Sequence, residues 1–233
     1  MQVVVLGPAG SGKSTFVKEF SNFLRNLGYD VKCVNLDPSS DPIYQADIDI
    51  RNYVRTEKIM LEYGLGVNGA MLKSIELMSA FSDKLKLDAD FVLYDTPGQM
   101  EIFIYSDSGI ELVDKLKRVQ TCGLFLIDAS MVRTPENFVS AILQNVVVML
   151  RIGLPTVTAI TKSDLLNLDV KKHLLSIRFG KGVLSEIMEK LTPLVSYTSL
   201  RYRTLKISNV DKSGYQDLLS TLRELFCACG DLS

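Results

Sequence analysis

The sequence predicts an α/β fold in which a mostly parallel sheet is flanked by helices, and three observations lead there. Short unalternating apolar runs recur along the 233 residues, segments with helical spacing separate them, and the composition, 47% hydrophobic against 23% charged, supplies a large core. Unalternating runs suit strands buried on both faces. Strand and helix in alternation, with crossovers of about a dozen residues or more, build right-handed parallel units.

In chain order, Val3 to Leu6 is the first predicted strand, and after a glycine-rich stretch Phe16, Phe20, Phe23, Leu24 and Leu27 recur at helical spacing. Further strands are predicted at Val31 to Leu36, Phe91 to Tyr94, Gly123 to Ile127 and Thr156 to Ile160, with a weaker one at Leu205 to Ile207. Ile142, Val146, Met149 and Leu150 mark a helix before the Thr156 run. Two stretches, at about 38–87 and 165–204, exceed simple crossovers and read as helical insertions in a single domain spanning 1–233. The first carries Asp41, Asp47, Asp49, Arg51 and Arg55 and then Gly64-Leu65-Gly66-Val67-Asn68-Gly69, too dense in glycine for a helix interior, which reads as a functional loop or, on the residues alone, as a flexible loop linking helices. Leu174, Leu175, Ile177 and Phe179 in the second are either core or a client-binding face.

Composition narrows the function classes. Lys plus Arg number 26 and Asp plus Glu 27, a net charge of −1, so no bulk field draws the chain onto nucleic acid or an anionic membrane. The one histidine, His173, excludes a multi-histidine metal site. Of four cysteines, Cys33 and Cys122 fall in strand runs, and this sparse usage implies a reducing compartment rather than a disulfide scaffold. Cys227 and Cys229 form the one close pair that could bind metal or oxidise, although without a second pair a structural or incidental role is expected. Met1 to Leu6 lacks a basic signal-peptide region, and no apolar run approaches the roughly 18 residues of a membrane span. The expected setting is cytoplasmic.

Three motifs carry chemistry. Gly7-Pro8-Ala9-Gly10-Ser11-Gly12-Lys13-Ser14, between a strand and a helix, is the G-x-x-x-x-G-K-[ST] phosphate loop of P-loop NTPases in its required context. Its glycines let backbone N–H groups converge on phosphate oxygens at a helix N-terminus. Lys13 is expected to reach the β- and γ-phosphates and Ser14 to ligate Mg²⁺, with Gly10, Ser11, Gly12 and Thr15 lining the cradle. Asp95-Thr96-Pro97-Gly98-Gln99 follows a strand, placing Asp95 to hold Mg²⁺, the Gly98 amide to approach the γ-phosphate and Gln99 to orient water. Thr161-Lys162-Ser163-Asp164 ends another strand and resembles the guanine-binding element of GTPases. Asp164 would accept from guanine N1–H and N2–H₂ while the Lys162 stem covers the base, and Ser208, Asn209 and Val210 would complete the pocket.

Together with Asn35-Leu36-Asp37-Pro38, Asp47-Ile48-Asp49-Ile50-Arg51, Tyr63-Gly64-Leu65-Gly66, Asn68-Gly69-Ala70 and Asp95 to Glu101, these motifs resemble the GPN-loop GTPases over nearly the whole chain. The compact length is similar to that of archaeal members. The sequence departs from the family at its name-giving tripeptide, with Gly66-Val67-Asn68 in place of Gly-Pro-Asn, which frees φ at the middle position. The resemblance implies a homodimer in which Asn68 reaches the partner's phosphate site, and an Asp37 that positions or deprotonates the attacking water. It also implies a role in assembling a multisubunit complex such as RNA polymerase. Turn capping is the alternative for Asp37; Arg51 and Arg55 are candidate arginine fingers and Glu101 a candidate supporting residue. For the protein as a whole a GTPase is expected, with a metallochaperone GTPase, a small-metabolite P-loop kinase and a non-hydrolysing scaffold as competing readings.

Overall fold

A computed structural model describes residues 1–165, 186 and 205–227. Among the described residues seven strands form one sheet: β1 (Gln2–Leu6), β2 (Val31–Asn35), β3 (Ile48–Asp49), β4 (Phe91–Asp95), β5 (Thr121–Asp128), β6 (Thr156–Thr161) and β7 (Leu205–Lys206). Every pairing is parallel, in the order β3-β2-β4-β1-β5-β6-β7. All six strands expected from the apolar runs are present. The additional strand, β3, pairs only Ile48 with Val34 and Asn35 with Asp49, too short to leave an apolar run in the sequence.

The unalternating runs are explained by the two cores. Val3 and Val5 of β1 pack on one face of the sheet, Val4 and Leu6 on the other. The first face receives α1 (Lys13–Asn26) and α7 (Tyr215–Cys227). Phe16 and Phe20 of α1 stack at 4.9 Å between ring centroids, and the Tyr215 ring meets Phe20 edge-on at 5.2 Å. The opposite face receives α2 (Thr56–Tyr63), α3 (Val67–Ser79), α4 (Met100–Tyr105), α5 (Asp107–Leu116) and α6 (Pro135–Ile152). On α6 the buried stripe is Phe138, Val139, Ile142, Asn145, Val148 and Ile152, so of the residues predicted for that face Ile142 is central while Leu150 points outward, 73% exposed.

The stretch 38–87 contributes β3, the short 3₁₀ turns Ile50–Asn52 and Ser82–Leu85, and the helices α2 and α3. Here the structure corrects one expectation: the segment 64–69 is not a loop throughout. Gly64 takes φ 62° and ends α2, Gly66 caps α3, and Val67, Asn68 and Gly69 form the first turn of that helix. A glycine at a helix terminus costs less than one in its interior, which is why the cluster is tolerated. His173, Leu174, Leu175, Ile177, Phe179 and Cys229 lie outside the described residues. Cys33 and Cys122 are buried free thiols, as their place in the strands requires.

Sheet order places the functional end of the molecule. From β1 the chain crosses to β2 on one side, and from β4 it crosses past β1 to β5 on the other. Ligands bind in the crevice at the carboxyl ends of strands where such crossovers diverge.

Candidate functional site

The phosphate loop, following β1, is held in a shape that only glycine permits. Gly7, Gly10 and Gly12 take φ of 147°, 78° and 87°. A Cβ on Gly7 would stand 2.3 Å from the carbonyl oxygen of Leu126 in β5, so the loop passes in direct backbone contact with the neighbouring strand. Gly12 caps α1, and the next residue, Lys13, is buried with its Nζ donating to the carbonyls of Gly7 at 2.8 Å and Pro8 at 3.2 Å. Burial pulls the Lys13 pKa below its ordinary value, against the attraction of Asp95, Asp37 and Glu101. The loop, Ser14 and Thr15 line a cleft of about 430 Å³ together with Asp37, Thr96, Gly98 and Lys162.

Asp95 ends β4, directly before the cleft residue Thr96, and is only 2% exposed. Its Oδ2 accepts from the Tyr44 hydroxyl at 3.1 Å, while its buried Oδ1 has no hydrogen-bond partner among the described residues. Burial raises its pKa to about 6, with Ser14, Lys13 and Tyr44 pulling the other way. Next along the chain, the Thr96 hydroxyl donates to the Val5 carbonyl at 2.7 Å and locks the end of β4 to β1. The Gly98 amide then donates to Oδ2 of Asp37 at 3.3 Å. Asp37 caps its own turn, its Oδ1 accepting from the amide and hydroxyl of Ser39 at 2.9 and 2.6 Å, and also lines the cleft. Gln99 caps α4, is half-buried with an unpartnered Oε1, and does not line the cleft.

Beyond β5, Thr161 at the end of β6 is fully buried and its hydroxyl donates to the Ser11 carbonyl at 2.8 Å, so it shapes the phosphate loop from behind. Lys162 takes φ 56°, and its Nζ donates to Asp128 at 2.5 Å and to the Gly10 carbonyl at 3.2 Å. Asp164 is exposed. The Ser163 amide donates to the Ile207 carbonyl at 3.2 Å, bringing Ser208, Asn209 and Val210 beside this turn. Buried Ser208 accepts from the Val210 amide at 3.2 Å, and Asn209 accepts from Tyr215 at 2.7 Å with its amide nitrogen 3.7 Å from where a Gly12 Cβ would sit.

Three expected residues stand elsewhere. Asn68 is exposed in the first turn of α3 and does not line the chain's own cleft. Arg51 grips Asp49 through Nε at 3.1 Å and Nη2 at 2.6 Å, and also pairs with Asp41. Arg55 donates from Nε to the Arg51 carbonyl at 3.1 Å, so both arginines staple their own segment. Tyr44 and Asp128 were not legible as site residues, since neither sits in a motif and both act through contacts distant in sequence.

Comparison with known proteins agrees with this geometry. Residues 5–228 match a family model described as a conserved hypothetical ATP binding protein. Over its whole length, and the whole of the relative, the chain is 31% identical to a GPN-loop GTPase of Pyrococcus abyssi. It is also 31% identical to the GPN-loop GTPase QQT1 of Arabidopsis thaliana, with 94% of this chain and 82% of the relative covered. A crystal structure described as a GTPase in apo form from Pyrococcus abyssi superposes with a TM-score of 0.84 at 29% identity, covering 98% of both chains. The fold is therefore that of the P-loop NTPases, and the chain belongs to the GPN-loop GTPase family.

Proposed function

We propose that the chain is a magnesium-dependent GTP switch that acts in the cytoplasm as a homodimer, each copy lending Asn68 to the other's phosphate site. Binding and hydrolysis of GTP are the activities of its family. The observation that supports the metal and switch reading is the cleft at the carboxyl end of the sheet, lined by Lys13, Ser14, Asp37 and Gly98, with buried Asp95 within electrostatic reach of Lys13 and Asp37; the homodimer and the role of Asn68 rest on family resemblance.

The chemistry needed from the chain is positioning and charge neutralisation. Loop amides from Gly10 to Thr15 hold the phosphates, and the Lys13 ammonium exchanges the Gly7 and Pro8 carbonyls for phosphate oxygens. The donor set fits a hard cation: the Ser14 hydroxyl and the orphaned, buried Oδ1 of Asp95 are oxygens. Bound there, Mg²⁺ would neutralise charge on the β- and γ-phosphates. Asp37 takes a proton from the attacking water, with Gln99 as the alternative orienting group, while the Gly98 amide leaves the Asp37 carboxylate for a γ-phosphate oxygen. Loss of phosphate returns Gly98 to Asp37, which gives the switch two states. Asp164 selects guanine, Lys162 covers it, Thr161 braces the loop, and Ser208, Asn209 and Val210 close the far side.

Steady-state turnover of GTP and ATP tests this, pointedly so because the matching family model is described as ATP binding. GTP hydrolysis without an acceptor metabolite is expected; equal use of ATP, or phosphate transfer only to an acceptor, would favour a kinase. Asp164→Asn is expected to shift preference from GTP to xanthosine triphosphate, whose C2 oxygen accepts where guanine donates. Client identity follows from family resemblance alone: co-purification of RNA polymerase subunits that differs between GTP- and GDP-loaded protein would support it.

A further inference from the structure

We infer that Tyr44, in the segment joining β2 to β3, is a positioning residue for Asp95, the carboxylate that would hold the metal. This rests on the GTPase reading above. The segment is pinned at both ends. At its start, the Asp37 amide donates to the Asn35 side chain at 3.1 Å and the Asp37 carboxylate holds Gly98. At its end, Asp47 exchanges two hydrogen bonds with the backbone of Cys33, both 2.8 Å, and pairs with Lys32 at 3.2 Å. Between these anchors Tyr44 packs its ring against the core on the α1 face and directs its hydroxyl inward to Asp95 Oδ2.

The consequence lies in how the two carboxylate oxygens are shared. Tyr44 takes Oδ2, so Oδ1 is left buried and without a hydrogen-bond partner among the described residues, on a carboxylate that the Ser14 side chain also acts on. Groups that orient a metal-binding carboxylate act in this way. The same segment also holds the Gly98 amide through Asp37, so one stretch of chain touches both the carboxylate for the metal and the amide for the γ-phosphate. A phenylalanine at position 44 would keep the packing and leave both Asp95 oxygens free to turn.

The test is a Mg²⁺ titration of affinity for a fluorescent GDP analogue, with EDTA as the metal-free arm, in wild type and Tyr44→Phe. Equal affinity in EDTA, with the Mg²⁺ concentration needed for half-maximal enhancement raised about tenfold in the variant, is the expected result. Unchanged or tighter Mg²⁺ response in Tyr44→Phe would overturn the inference. So would an equal loss of affinity with and without metal, which would make Tyr44 a support for the loop rather than for the carboxylate. A wild type that bound no guanine nucleotide would instead overturn the GTPase reading on which it stands.

Discussion

Two glycine-rich segments, Gly7–Gly12 and Gly64–Gly69, are made for different surroundings. In the first, three glycines take positive φ, and a Cβ on Gly7 would overlap the backbone of β5. In the second only Gly64 takes positive φ, nothing lies within 4 Å of a Cβ on Gly66, and Asn68 projects from an exposed helical turn. The first segment is shaped by its own fold: Ser11 and Gly10 carbonyls are gripped by Thr161 and Lys162, and Gly7 by Lys13. The second caps two helices and leaves its polar residue facing outward. Glycine density is thus two different signals, one for close backbone approach and one for helix termini.

The sharpest way to break this contrast is Gly7→Ala beside Gly66→Ala. Gly7→Ala combines backbone overlap with a strained φ and should cost roughly 3 kcal/mol or more of stability in chemical denaturation. Gly66→Ala, at φ −70° in open space, should cost less than about 1 kcal/mol. Equal losses would show that both segments are packed alike.

Next in size, Lys13→Met should slow single-turnover GTP hydrolysis by about 100-fold or more. It should also raise the melting temperature of the nucleotide-free protein, because burial disfavours the charged form of Lys13 in the folded state. Asp95 gives the pH dependence. Its folded pKa of about 6 lies above the ordinary 3.8, so between those values the folded chain keeps a proton that the unfolded chain has released. Stability without metal should therefore fall, by on the order of 3 kcal/mol, as pH rises through that window, and Asp95→Asn should flatten the profile. Smallest is Asn68→Ala: being exposed, it should alter stability by less than about 0.5 kcal/mol while lowering the single-turnover rate. An unchanged rate would remove the loop from catalysis.

Much of the site was legible because it depends on local backbone chemistry. A phosphate loop needs glycine where φ is positive, a lysine at the first turn of the next helix and an apolar strand before it, and all three are contiguous in the chain. Asp95 and Thr161 were legible for the same reason, each ending a buried apolar run. Helical burial was read less well on α6, where periodicity gave the element but Leu150 faces outward.

By itself, then, the sequence determined every described strand but β3, the phosphate loop, the two strand-end motifs and membership of a family whose motifs span the chain. Only the tertiary structure decided that Tyr44 meets Asp95, that Asp37 holds Gly98, that Asp128 ties down Lys162 and that Arg51 is engaged by Asp49. Most of these contacts follow from strand order. With β4 placed between β1 and β2, and β5 beside β6, residues remote in sequence become neighbours at the strand ends. Local periodicity records which faces are buried, whereas the order of parallel strands is set by how long crossovers pack, and no short stretch of sequence encodes it.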